Sequence, residues 1–154
     1  MRLLLQRVRR AAVFVEGRTV GEIETGLLVL AGFGLEDGEG LPGSPLWEKM
    51  LDKVVHLRIF PDDGGRMNRS LADAGGDLCV VSQFTLYADC RRGRRPSFTA
   101  SCPPEPAERL YDRLLDDLEE RAPGRFASGK FGAEMDLDFV NWGPVTILLD
   151  SALL

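Results

Sequence analysis

Ser82-Gln83-Phe84-Thr85-Leu86-Tyr87-Ala88-Asp89 concentrates hydroxyl, carboxamide and carboxylate groups in a segment otherwise suited to a β-strand. Side chains alternate along a strand, so Gln83, Thr85 and Tyr87 are expected on one face and Ser82, Phe84 and Leu86 on the other. Polar groups inside an apolar sheet need hydrogen-bond partners. Two readings follow: Ser and Thr bonding across strands, or a pocket wall whose backbone N–H groups stabilise an oxyanion. A side-chain nucleophile needs an activating base. The one histidine, His56, stands between Val55 and Leu57 in a helical pattern and is expected to be a partly buried structural residue. No acid or nucleophile lies near it in sequence, so a Ser-His-Asp arrangement is not supported. A Thr85 nucleophile acting on small esters stays open as an alternative.

Asn141-Trp142-Gly143-Pro144-Val145-Thr146 is the second segment of interest. It lies in an apolar, strand-like run that continues through Ile147-Leu148-Leu149. Proline has no N–H for a sheet ladder, so a strand interior suits it poorly. Glycine before it removes the Cβ and lets a backbone or ligand approach closely. The pair therefore marks either an edge or bulge of a sheet, or a backbone feature shaped for function.

Arg91, Arg92, Arg94 and Arg95 crowd one short stretch, and arginine forks suit phosphate oxygens. The same stretch reads equally as a solvated charged loop. The net charge of −5 excludes a generic polyanion binder, although a local basic patch can still dock a phosphate backbone. A non-catalytic RNA-binding module is thus a further alternative. Cys79, Cys90 and Cys102 form no CxxC pair, which argues against a disulfide framework or a zinc site. Asp62-Asp63-Gly64 and Asp73-Ala74-Gly75-Gly76-Asp77 lack the spacing of a calcium loop and read as turns. No glycine-rich phosphate loop or dinucleotide fingerprint occurs, so no metal or cofactor is expected.

The elements that must position these residues follow from periodicity. The 154 residues fit one domain spanning 1–154. Hydrophobic content of 44% and charged content of 28% fit a globular protein. No apolar run reaches the roughly 20 residues of a membrane span, and Gln6, Arg7, Arg9 and Arg10 interrupt the apolar start too early for a secretory signal. A cytoplasmic location is expected. Leu3–Val8, Ala12–Glu16 and Val20–Ile23 read as strands, with a hairpin turn at Glu16-Gly17-Arg18. Leu27–Phe33 reads as a strand buried on both faces. After a Gly- and Pro-rich loop, Ser44-Pro45 caps a helix whose apolar stripe is Trp47, Met50, Leu51, Val54 and Val55. Asp77–Val81 and Phe84–Ala88 read as strands. A second helix covers about Glu105 to Arg121, and Met135–Val140 and Val145–Leu149 read as two strands flanking the Gly-Pro. The expectation is one α/β domain with a single mixed sheet and two main helices.

Ser82-Gln83-Phe84-Thr85-Leu86 together with Asn141-Trp142-Gly143-Pro144-Val145-Thr146 resembles the D-aminoacyl-tRNA deacylase family. Leu4-Leu5-Gln6-Arg7-Val8, Leu27-Leu28-Val29-Leu30, Arg95-Pro96-Ser97-Phe98 and Phe131-Gly132-Ala133-Glu134-Met135 extend the resemblance over essentially the whole chain. It implies a barrel-like homodimer with active sites at the interface. It further implies that the Gly143-Pro144 peptide is cis, enters the partner's site and rejects L-amino acids. Ser82, Gln83, Phe84 and Thr85 would line the catalytic pocket, and Phe131 and Met135 would lie near the terminal adenosine of the tRNA 3′ end. The implied reaction is hydrolysis of D-aminoacyl-tRNA, with glycine also cleared from mischarged tRNA. The terminal 2′-OH and backbone groups would assist it, without cofactor, DNA or membrane. Trp142 departs from the family, which usually has an acidic residue there.

Overall fold

The computed structural model describes all 154 residues. Strands β1 (Arg2–Val15), β2 (Arg18–Ile23) and β3 (Gly26–Gly32) come first, followed by helix α1 (Pro45–His56). A small hairpin, β4 (Phe60–Pro61) and β5 (Met67–Arg69), and a one-turn helix α2 (Leu71–Ala74) lead to β6 (Asp77–Ser82). Helix α3 (Pro104–Glu119), β7 (Phe126–Ser128) and the long β8 (Asp136–Asp150) complete the chain. The main sheet runs β2-β1-β3-β6-β7, with β8 pairing β1. β1 is antiparallel to β2, β3 and β8, whereas β3, β6 and β7 run parallel. The far ends of this order meet: a Cβ on Gly21 of β2 would lie 2.8 Å from the Ser128 carbonyl oxygen of β7. The sheet is therefore nearly closed into a barrel.

Alternation along β3 and β6 divides the core. Leu27, Val29, Leu78 and Val80 face the helices and join Trp47, Met50, Leu51, Val54, Tyr111, Leu114 and Leu118. Leu28, Cys79 and Val81 face the other way and meet Val8, Val13 and Ile23. The Ser44 side chain caps α1 at the Trp47 N–H, 3.2 Å away, and Pro45 opens the helix as expected. No helix is long and apolar enough to cross a membrane.

The structure corrects several sequence expectations. Leu3–Val8 and Ala12–Glu16 are one continuous strand, because β8 pairs along nearly all of it. Met135–Val140 and Val145–Leu149 likewise merge into β8. Phe84–Ala88 is not a strand: Phe84–Tyr87 is a single 3-10 turn. The cause is loss of a partner. The Gln83 N–H bonds the Ala31 carbonyl, and β3 ends at Gly32. Beyond that rung the chain closes on itself, with Leu86 N–H bonding the Gln83 carbonyl and Ala88 N–H that of Thr85. The expected face shared by Gln83, Thr85 and Tyr87 therefore does not form. His56 is exposed rather than partly buried. It ends α1, with Nδ1 2.8 Å from Asp52 Oδ1 one helical turn back.

Candidate active site

The carboxyl ends of parallel strands are where side chains and backbone most readily enclose a ligand in α/β sheets. Here β3, β6 and β7 end together, and their following residues enclose a 630 Å³ cavity. Gly32 and Phe33 extend β3; Ser82, Gln83 and Phe84 follow from β6; Phe131, Gly132 and Ala133 follow β7. Met135 and Leu137 close one side, and Pro103, Pro104 and Ala107 at the start of α3 close another. The lining is mostly apolar with a few convergent polar groups, the usual make-up of a small-molecule site.

Of the residues singled out from sequence, Ser82, Gln83, Phe84, Phe131 and Met135 line this one cavity. Phe131 packs at a tilt on buried Tyr111, ring centroids 5.8 Å apart. Tyr111 is itself fixed by its hydroxyl donating to the Val80 carbonyl at 2.9 Å. Thr85 is exposed on the 3-10 turn and does not line the cavity. Its hydroxyl oxygen accepts from the Gln83 carboxamide at 2.5 Å. A carboxamide N–H is a donor and cannot take up a proton, so no general base activates Thr85. No side chain caps the turn, so its first backbone N–H groups remain free of side-chain acceptors.

Gly143 and Pro144 lie apart from this cavity. Gln6 opposes Thr146 and Val8 opposes Asn141, so Trp142, Gly143, Pro144 and Val145 stand against Arg7 alone. The result is a bulge on β8, the setting in which a sheet tolerates proline. Asn141 closes its base: its Oδ1 accepts from the Val145 N–H at 2.8 Å, and its Nδ2 donates to the Val145 carbonyl at 3.2 Å. The Gly143–Pro144 peptide bond is cis, and both residues are exposed at the tip.

Trp142 anchors the bulge from within. Its carbonyl accepts from Arg7 Nε at 2.8 Å. Its ring is stacked by the guanidinium groups of Arg7 at 4.5 Å and Arg9 at 3.7 Å, a cation–π arrangement. Phe60 meets it edge-on at 6.3 Å. Arg7 is buried and also donates to the Ile59 carbonyl; burial, then the nearby Arg9 charge, lowers its pKa. Two cations on one indole thus hold the place where an acidic residue was expected.

The loop after the 3-10 turn is closed by paired backbone bonds between Asp89 and Ser97. Arg91, Arg92 and Arg95 line a second, polar hollow there with Asp89 and Ser97, and Arg94 stands outside it. Arg91 grips Asp89 with two nitrogens, at 2.9 and 2.6 Å. Its side-chain hydrogen bonds hold the Asp89 carboxyl down to about 2. Arg92, Arg94 and Arg95 have no ion pair. Phe98, which the sequence reading included in the resemblance without giving it a role, lines the cavity beside Phe84.

The chain is similar to known proteins over nearly its whole length. Residues 4–150 match the family model described as D-Tyr-tRNA(Tyr) deacylase. A D-aminoacyl-tRNA deacylase of Nitratidesulfovibrio vulgaris (strain DP4) is 59% identical over 152 residues, covering 99% of this chain and 94% of that one. The solved structure of a c-Myc DNA unwinding element binding protein superposes with a TM-score of 0.86 at 38% identity, covering 97% of this chain and 98% of that one. That of a probable eukaryotic D-amino acid tRNA deacylase gives 0.77 at 23% identity, covering 96% and 97%, a likeness of fold.

Proposed function

The chain belongs to the D-Tyr-tRNA(Tyr) deacylase family, and from that premise we propose how its cavity carries out D-aminoacyl-tRNA hydrolysis. Water attacks the ester carbonyl, the carbon–oxygen bond to the terminal ribose breaks, and a D-amino acid and free tRNA leave. The observation that carries the reading is the apolar cavity that gathers Ser82, Gln83, Phe84, Phe131 and Met135 without a nucleophile–base pair. The Phe84 and Thr85 backbone N–H groups, which open the 3-10 turn, stabilise the oxyanion, and the terminal 2′-OH of the tRNA assists the attacking water. Phe131 and Met135 flank the terminal adenosine, and the arginine loop contacts tRNA phosphates through Arg92, Arg94 and Arg95, with Arg91 held by Asp89.

Gly143 and Pro144 act in the cavity of a second copy as a backbone wall against L side chains. Their exposure and their distance from their own cavity support this. β8 offers the edge for that homodimer: it pairs only β1, with Val140 and Leu148 exposed. Attraction alone discriminates a methylene-scale difference by only about 1–3 kcal/mol, whereas a steric wall rejects more strongly. Glycyl-tRNA passes the wall and is also hydrolysed. Free tRNA places this work in the cytoplasm.

The test compares deacylation of D-Tyr-tRNA and L-Tyr-tRNA by the purified protein. Rapid release from the D ester and near-background release from the L ester are expected. Equal rates would remove chiral selection, and binding without hydrolysis would favour the RNA-binding module. Thr85→Ala is expected to retain deacylation within about tenfold, since loss of a nucleophile costs far more.

A further inference from the structure

Exposed apolar residues that stand together mark interaction sites, whereas single ones are ordinary. Phe84 and Phe98 are 57% and 39% exposed, yet they pack on each other edge-to-face, centroids 5.1 Å apart at 71°. In that geometry the ring presented edge-on has neither face covered by its partner. Both rings line the cavity, and Ser97, the residue before Phe98, lines the hollow of Arg91, Arg92 and Arg95. The mouth of the cavity and the arginine hollow therefore share a boundary at Ser97-Phe98.

The pair is also held in place. The Ser101 hydroxyl donates to the Phe84 carbonyl at 3.1 Å. The Asp89–Ser97 bridge fixes the loop that ends at Phe98. Stacking surfaces beside unpaired cations are how proteins hold single-stranded nucleic acid without reading its sequence. Because Asp89 occupies Arg91, the free cations beside the platform are Arg92 and Arg95.

We propose that Phe98, with Phe84, stacks the bases that precede the terminal nucleoside of the tRNA 3′ strand, while Arg92 and Arg95 take the phosphates between them. This rests on the deacylase reading and extends it outward from the cavity. The strand leaves the cavity over the aromatic pair and continues along the arginine loop. A second copy of the chain covering the rings is the competing occupant.

Two measurements separate these cases. The first compares kcat/KM of wild type, Phe98→Ala and Phe98→Tyr on D-Tyr-tRNA and on D-tyrosyl-adenosine, which has no preceding bases. For Phe98→Ala, the loss on the tRNA is expected to exceed the loss on the nucleoside ester by about fivefold or more, carried by KM. Phe98→Tyr should restore it. Equal losses on both substrates, or none on the tRNA, would overturn the platform. So would a change of sedimentation on Phe98→Ala, since the rings would then belong to a dimer contact. The second measures anisotropy of a labelled eight-nucleotide RNA ending in CCA. Binding weakened by Phe98→Ala but kept by Phe98→Tyr supports the platform even if the wild type fails to hydrolyse D-Tyr-tRNA, an outcome that sinks the deacylase reading alone. Binding indifferent to residue 98 overturns the platform.

Discussion

Asp89 sets how much positive charge the arginine loop presents. Its carboxyl is depressed to about 2 in the folded protein, chiefly by hydrogen bonds from the Arg91 side chain. A depressed carboxyl contributes to folding above its unfolded value and loses that contribution as pH falls through the folded one. The Asp89–Arg91 pair should thus persist from neutral pH down to about 2. Asp89→Asn releases Arg91 and adds one free cation. The slope of log affinity for single-stranded RNA against log salt should steepen by about 0.7. An unchanged slope would mean that Arg91 already contacts phosphate while paired. The arginine run was legible in the sequence, but this pairing was not, because it depends on a loop conformation that brings residues 89 and 91 face to face. Ser82 and Gln83 were legible as polar positions in an apolar run, with Phe84 beside them. The strand face that Thr85 was to share with Gln83 does not form, because the strand stops at Ser82 and a 3-10 turn follows.

At the scale of elements, the parallel pairing of β3 and β6 delivers the cavity lining. It depends on Gly26, which opposes Asp77. A Cβ there would lie 1.9 Å from the Asp77 carbonyl oxygen and 2.6 Å from its carbon. Gly26→Ala should force the strands apart and cost about 1–3 kcal/mol, read as a lower urea midpoint together with weaker deacylation. A midpoint equal to wild type would mean that the strands part freely at that end. Both long helices were readable from their apolar stripes, because a helix carries its own hydrogen bonds. β7, the β4–β5 hairpin and the 3-10 turn were not. Each depends on which neighbour is present, and three-residue β7 carries no periodicity to detect. The bulge of β8 was anticipated only as one of two meanings of the Gly-Pro.

Across the whole molecule, charge is divided around the cavity mouth. α3 begins at its rim and exposes Glu105 and Glu108 in its first turns, while the arginine hollow meets the mouth at Ser97-Phe98. A polyanion is steered toward the loop and away from the helix. The arginine run was legible in the sequence, whereas the acidic start of α3 at the cavity rim was not anticipated. The central strand has a different kind of consequence, one of timing. Arg2 of β1 pairs Asp150 of β8 across 148 positions. At roughly 5–20 residues per second, a ribosome makes the second strand about 7–30 s after the first. During that interval Leu3, Leu5 and Val8, fully buried in the finished protein, sit in a strand with one side unclaimed. Ribosome-bound chains stopped after α3 should therefore be cut readily by protease, and chains extended past Asp150 should resist. Resistance before β8 emerges would show that the rest of the barrel holds without it. A nascent chain thus has most of its cavity wall before it has the strand that bears Gly143 and Pro144, and it must be shielded until that last strand arrives.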